Sequence, residues 1–319
     1  MTRSLILGVN GQDGSYLADL LLARGDKVHG LHRHSSNPRH LWRIEHCRDR
    51  LTLHQGDVLD TASIARVIAE VRPEVIYNEA DQDHVEYSLR TPGYSMDVTA
   101  SAVLRMLEAV RQIDPSIRWF QPLSATIFGD AARPQNEGTP LAPMSPYACA
   151  KAAALHVCRY YRSAHDLHVT TGILYGHDSP RRGPNYLLQR IARQAVAVAE
   201  GKQSRVELWG EDVVVDIGHA SEFMQTAIGL MGLGQSGDYV VGTGAAQSIS
   251  SIVEAALVRA GTWPDRYSLG GLEPRPGRAP TLVANCTRLR AALGGQSQPQ
   301  QAARDVVCEL VDHLQGRAV

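Results

Sequence analysis

The sequence predicts an α/β protein built on a doubly wound parallel sheet, and three observations carry that expectation. The apolar run Ser4-Leu5-Ile6-Leu7 leads into Gly8-Val9-Asn10-Gly11-Gln12-Asp13-Gly14 and then into a helical pattern over 15–24. Short apolar runs afterwards alternate with helical stretches through the first half of the chain, as in sheets whose strands are joined by crossover helices. The stretch Ser145-Pro146-Tyr147-Ala148-Cys149-Ala150-Lys151 opens a further helix. Its Tyr and Lys, four positions apart, share one face one turn from each other.

Taken in order, the elements point to a nucleotide-binding crevice. A strand, then G-x-x-G-x-x-G, then a helix is the Rossmann-type arrangement. The glycines allow a tight turn and close approach to a pyrophosphate that rests on the helix N-terminus. Gly8, Asn10, Gly11, Gln12, Asp13 and Gly14 are the cofactor-binding candidates there. A second strand over 27–31 ends in His32-Arg33-His34-Ser35-Ser36. No acidic residue follows it to hold a ribose 2′-hydroxyl, and Arg33, Ser35 and Ser36 suit a 2′-phosphate, so NADP is expected in preference to NAD. The third strand covers 51–54, and Asp57 and Val58 after it are placed to hold an adenine ring. The fourth and fifth strands cover 75–78 and 117–121, with helices over 62–71 and 98–112.

Ser124 follows the fifth strand at its carboxyl end, where open α/β sheets bind ligands. Ser124, Tyr147 and Lys151 form the catalytic candidates. A phenol ionises near pH ~10. A neighbouring ammonium lowers that value, so the pair is expected to act as a base near neutrality. Pro146 suits a first helical turn and Ser145 an N-cap. Cys149, inside the same segment, is read as small filler.

Composition narrows the class. The chain has 319 residues, a net charge of −1 and 20% charged residues, which excludes a strong field for nucleic acid or membrane. No apolar run is long enough to span a bilayer. Five scattered cysteines without metal spacing suit reduced thiols and a cytoplasmic setting. The thirteen histidines show no metal-ligand pattern, so no metal is expected. Later elements are a strand over 238–244, a helix over 248–260, a loop over 270–280, a linker over 294–299 and a closing helix over 302–314. The expected division is a nucleotide-binding domain over 1–175, receiving segments from about 212–260, and a smaller substrate-binding domain over 176–211 and 261–319.

With these pieces joined, the chain resembles the extended short-chain dehydrogenases/reductases, and within them the GDP-mannose 4,6-dehydratases. The resemblance rests on the glycine segment continued through Ser15-Tyr16-Leu17, on Arg33-His34-Ser35-Ser36 and on the Ser145 to Lys151 segment. It continues in Gly172-Ile173-Leu174, His177-Asp178-Ser179-Pro180-Arg181-Arg182-Gly183 and Gly218-His219-Ala220. It implies a nicotinamide cofactor, usually NADP, and a nucleotide-sugar substrate. It further implies a homodimer or homotetramer in which the helix from about Val98 and the Tyr147 helix meet their symmetry mates. By the same resemblance, Asp83, His84, Thr126, Arg181, Arg182, Asn185, Arg190 and Arg275 are substrate-binding candidates.

The departures matter as much. The dehydratases carry a Thr and, two residues on, a Glu that takes a proton from C5. Ser124 and Thr126 stand at those positions here, and an aliphatic hydroxyl does not ionise near neutral pH. Ser-Ala-Thr-Ile-Phe-Gly instead resembles the matching segment of UDP-galactose 4-epimerases. Val215 replaces an Arg usual in the family, and the loop after the fourth strand carries Glu79, Asp81, Asp83 and Glu86 where the family's is small and uncharged. The expected activity is therefore hydride transfer at a sugar carbon, C4 above all, ending in epimerisation or keto-reduction of a nucleotide sugar. Three alternatives stand beside it: a GDP-mannose 4,6-dehydratase using another base, an enzyme acting on a less anionic, aminoglycoside-type sugar, and a catalytically inactive NADP-binding regulator.

Overall fold

The computed structural model describes residues 1–208, 210, 212–270, 281–294 and 298–317. Among them lies a seven-stranded parallel sheet: β1 (Arg3–Leu7), β2 (Lys27–His32), β3 (Thr52–Gln55), β4 (Val75–Asn78), β5 (Arg118–Ser124), β6 (Val169–Leu174) and β7 (Asp238–Val241). Their order in space is β7-β6-β5-β4-β1-β2-β3. The direction of winding reverses between β1 and β4, which pair in parallel with Leu7 beside Asn78. The crevice beyond their carboxyl ends is the ligand site of such sheets. Helices cover both faces, so the central strands are apolar throughout instead of alternating. Leu5, Ile6, Leu7, Ile76 and Tyr77 are fully buried.

β6 was absent from the sequence expectation. Its run Val169-Thr170-Thr171 is interrupted by hydroxyls that hide the apolar signature, yet both threonines are buried. Thr171 donates to Asp238 at 2.8 Å, which ties β6 to the first residue of β7. The β-branched side chains suit a strand once that polar group is satisfied. The helix expected over 98–112 begins earlier and is not uniform. Pro92–Met96 runs through a π turn, Asp97–Ser101, into Ala102–Ile113. Such turns are frequent at functional sites, and Thr99 in this one donates its hydroxyl to Asp81.

The helix that opens with Pro146 extends to His165, capped by the Ser145 hydroxyl accepting from the Ala148 amide at 3.1 Å. Buried apolar residues form two clusters. The first surrounds the sheet and includes the helix Ala220–Met231. The second joins the helices Leu187–Ala199, Ile249–Ala260 and Ala303–Leu314 to the strand pair Val206–Leu208 and Tyr267–Leu269. Residues 249–260 lie in the stretch expected to return to the first domain, but they pack in the second core. Among the described residues, no helix is long and apolar enough to cross a membrane.

Candidate active site

The glycine loop is shaped by its backbone. Gly8 has φ +79°, and a Cβ there would lie 2.8 Å from the Glu79 carbonyl oxygen. A Cβ on Gly14 would lie 2.3 Å from the Gly8 carbonyl oxygen. The helix Gln12–Arg24 begins at Gly11 with no side-chain cap among the described residues, so its first amides are left for a ligand. A bare cradle at a helix N-terminus fits the diphosphate of a dinucleotide.

The side chains expected to help at that cradle are engaged elsewhere. Gln12 accepts from the Ser179 hydroxyl at 2.9 Å and donates to Asp13 at 2.9 Å. Asp13 meets His177 Nε2 at 2.9 Å. Burial alone would raise the Asp13 carboxyl, but His177 and then Arg182 hold it down at about 2. Asn10 donates to the His40 carbonyl at 3.1 Å. Arg33 donates to the Tyr94 hydroxyl at 3.1 Å. The Ser35 hydroxyl accepts from the Asn37 amide at 3.2 Å, and Ser36 is exposed beside it. Asp57 accepts from the Leu59 amide at 3.0 Å, while Val58 is buried.

Ser124, Tyr147 and Lys151 converge at the carboxyl end of β5. Ser124 Oγ accepts from Thr126 Oγ1 at 2.9 Å, so Thr126 is a hydroxyl donor to Ser124. Lys151 Nζ lies 5.8 Å from the centre of the Tyr147 ring. The expectation of a phenol brought near neutrality is corrected here. Burial raises Tyr147, Lys151 pulls it back, and Asp81 and Asp83 push it up again, leaving it at about 12. Burial is the first cause, and the pull of Lys151 is opposed by its own partner, Asp81. Lys151 Nζ sits 2.6 Å from Asp81 Oδ2 and donates to the Pro122 carbonyl at 2.9 Å. Burial works against the Lys151 charge, but Asp81 holds the ammonium above its ordinary value.

The acidic loop after β4 does not simply face solvent. Asp81 is bound to Lys151 and Thr99. Glu79 Oε1 is buried without a hydrogen-bond partner among the described residues. Burial, then Asp13, pushes the Glu79 carboxyl well up. Asp83 accepts from the Tyr186 hydroxyl at 2.9 Å and pairs with Arg182 at 3.1 Å. The Arg182 guanidinium lies 3.6 Å over the Tyr186 ring, and His84 meets that ring edge-on at 5.8 Å. Tyr186 was not anticipated. Its neighbours in the sequence carry the family pattern, but its contact with Asp83 spans 103 positions and is a tertiary fact.

The other substrate candidates are dispersed. Arg181 is spent on the first helix, pairing with Asp19 at 2.6 Å, donating to Ser15 Oγ at 3.1 Å and lying 4.1 Å over Tyr16. Asn185 is exposed and Arg190 half-buried. Arg275 lies outside the described residues. Val215 belongs to a small strand pair with Gln247–Ser248 and packs against the second core. Asp19, His46 and Cys47 gather their ligand atoms within 4.8 Å, a grouping the histidine spacing did not suggest. The Asp19 carboxylate is already held by His46 at 2.7 Å and by Arg181.

A parallel sheet with its switch point at β1 and β4, a glycine cradle there and a Ser-Tyr-Lys set beside it define an extended short-chain dehydrogenase/reductase of the epimerase and dehydratase type. The model of the GDP-mannose 4,6 dehydratase family matches residues 5–297, and the chain belongs to that family. It is 36% identical over 335 residues to a GDP-mannose 4,6-dehydratase of Sinorhizobium fredii, covering 97% of this chain and 95% of that one. It is 34% identical over 321 residues to GDP-mannose 4,6 dehydratase 1 of Arabidopsis thaliana, covering 97% and 88%. A Thermus thermophilus UDP-glucose 4-epimerase in complex with NAD superposes with a TM-score of 0.85 at 25% identity, over 99% of this chain and 100% of that one. The sequence relatives lean towards dehydration, not towards the epimerisation expected above.

Proposed function

We propose that this chain exchanges a hydride between a nicotinamide dinucleotide and C4 of a GDP-linked hexose, with Tyr147 carrying the proton. The convergence of Ser124, Tyr147 and Lys151 at the end of β5, beside the glycine cradle, carries this reading. The bound dinucleotide supplies the redox couple. The chain supplies the rest: Gly8, Gly11 and Gly14 leave room for the diphosphate, Ser124 hydrogen-bonds the reacting oxygen, and Tyr147 Oη gives or takes its proton. Arg33 and the two serines after it support NADP over NAD.

The named relatives support dehydration as the outcome. With Thr126 at the usual place of the base, the C5 proton must then leave to another carboxylate. Asp83 suits that role, because its charge reaches Tyr147 and it faces the cleft between Arg182 and Tyr186. Thr126 favours a second reading, in which hydride transfer ends in reduction or epimerisation at C4 without loss of water.

GDP-mannose incubated with NADP and followed by mass spectrometry separates the two. Loss of one water, abolished by Asp83→Asn and retained in Thr126→Val, establishes dehydration. A product of unchanged mass, or, in a parallel incubation of a GDP-linked 4-keto sugar with NADPH, a product two hydrogens heavier, establishes the second reading. In either case Tyr147→Phe is expected to slow the reaction roughly a hundred- to ten-thousand-fold. Unchanged turnover in Tyr147→Phe would remove the proposal.

A further inference from the structure

Lys151 is the residue expected to favour ionisation of Tyr147, and the structure gives its charge to something else. Its ammonium is 2.6 Å from Asp81, and the two side chains are only 4% and 13% exposed. Asp81 is fixed from the opposite side by the Thr99 hydroxyl, on the π turn that interrupts the helical run after Pro92. The pair thus bridges the Pro146–His165 helix to the Asp97–Ser101 turn, and solvent has little access to screen it.

The charged groups facing this pair and Tyr147 can be named from every side. Lys151 comes from the same helix as Tyr147. Asp81 and Asp83 come from the loop after β4, and Glu79 from the base of that loop. Asp13, on the first helix, acts on Glu79, while Arg182 and Tyr186 engage Asp83 on the far side of the cleft, and Tyr186 also lies near Tyr147. Ser124 adds a neutral hydrogen bond. A lone ammonium beside a phenol favours the phenolate. An ammonium already neutralised at contact distance does not, and Asp83, itself paired with Arg182, adds no positive charge beside Tyr147.

We propose that Asp81 is a positioning residue that holds the Lys151 ammonium so that Tyr147 Oη keeps its proton, which makes the site a donor suited to a nucleotide sugar bearing a carbonyl at the reacting carbon. This rests on the proton-carrying role assigned to Tyr147 above and sharpens the reading without loss of water. The carbonyl carbon takes a hydride supplied by reduced nicotinamide dinucleotide, and its oxygen takes the Tyr147 proton, so a ketone becomes an alcohol. A reaction of the oxidising or dehydrating class must then supply the keto sugar.

The test uses the full-length chain without cofactor. Tyrosinate absorbance is titrated in the parent and in Asp81→Asn, each with its Tyr147→Phe counterpart subtracted to isolate Tyr147. Asp81→Asn is expected to raise the ionisation constant of Tyr147 about tenfold or more. Thr99→Val, which frees the carboxylate but keeps every charge, moves it less and in the same direction, and it carries the test if Asp81→Asn does not fold. With substrate present, the pH profile of ketone reduction in Asp81→Asn falls off at lower pH than in the parent.

A Tyr147 titration unmoved in both variants would overturn the proposal. So would a shift produced by Asp83→Asn but not by Asp81→Asn. The titration needs no substrate. A shift without turnover of any GDP-sugar therefore counts against the proposed function alone, and turnover without a shift counts against Asp81 alone.

Discussion

Two loops face each other across the tips of β1 and β4, and they are made on opposite principles. The loop from Gly8 to Gly14 works through main chain: positive φ, missing Cβ atoms and uncapped amides. The loop from Glu79 to His84 works through side chains, with carboxylates engaged by Lys151, Thr99, Arg182 and Tyr186. The first has one shape, and its single charge, Asp13, is spent on His177. The second has a charge pattern that depends on distant partners and on pH. The glycine loop should therefore respond to volume, and the acidic loop to protonation and charge.

The sharpest way to break this contrast is Gly14→Ala. The new Cβ would meet backbone on both nearest sides, the Gly8 carbonyl oxygen at 2.3 Å and Val9 Cα at 2.8 Å. Neither can turn away as a side chain would. A loss of about 1–3 kcal/mol in stability is expected, together with loss of dinucleotide binding, read by thermal unfolding with and without NADPH. A variant that melts and binds like the parent would show that the loop tolerates volume.

A smaller effect is expected at Glu79→Gln. Burial and Asp13 raise the Glu79 carboxyl in the folded chain above its usual ~4.5. A group raised on folding contributes stability that is complete below the unfolded value and is lost as pH rises through the folded one. The parent should therefore lose stability relative to Glu79→Gln as pH climbs from about 4.5, and go on losing it until the carboxyl ionises in the folded chain. Urea unfolding across that range measures the gap. Parallel curves would mean that Glu79 is ionised at no cost.

The smallest effect lies at the edge of the crevice. Arg33→Ala removes an exposed guanidinium that donates to the Tyr94 hydroxyl. NADPH is expected to bind the parent more tightly than NADH, and the variant should narrow that gap by about 1 kcal/mol, the scale of an exposed ionic contact. Equal affinities for the two cofactors in the parent would set aside the 2′-phosphate role.

How far each loop could be read in advance follows from the same contrast. A main-chain site leaves its mark as glycines at fixed offsets between a strand and a helix, and a parallel sheet as apolar runs between helical ones. The strands from β1 to β5 were legible on those terms, but β6 was hidden by its threonines. Ser124, Tyr147 and Lys151 were legible because two of them share a helix face and the third ends a strand. Asp81 was visible only as one unusual acid among four, since its partners are 70 and 18 positions away. The contacts of Arg181 were hidden for the same reason. The motif around it names a segment, and packing against Tyr16 and Asp19 decides where its guanidinium goes.

The first turn of the helix after the glycine loop has a second employment. Asp13 clasps His177, Gln12 takes the Ser179 hydroxyl, and Arg181 reaches back to Ser15 and Asp19. The chain leaves this clasp to enter the helix Leu187–Ala199 of the second core. One turn of helix is thus common to the cradle proposed for a dinucleotide's phosphates and to the span that carries the other half of the molecule. Two guests sharing a turn are reciprocal: whatever either does to the other's affinity, the other returns in equal measure.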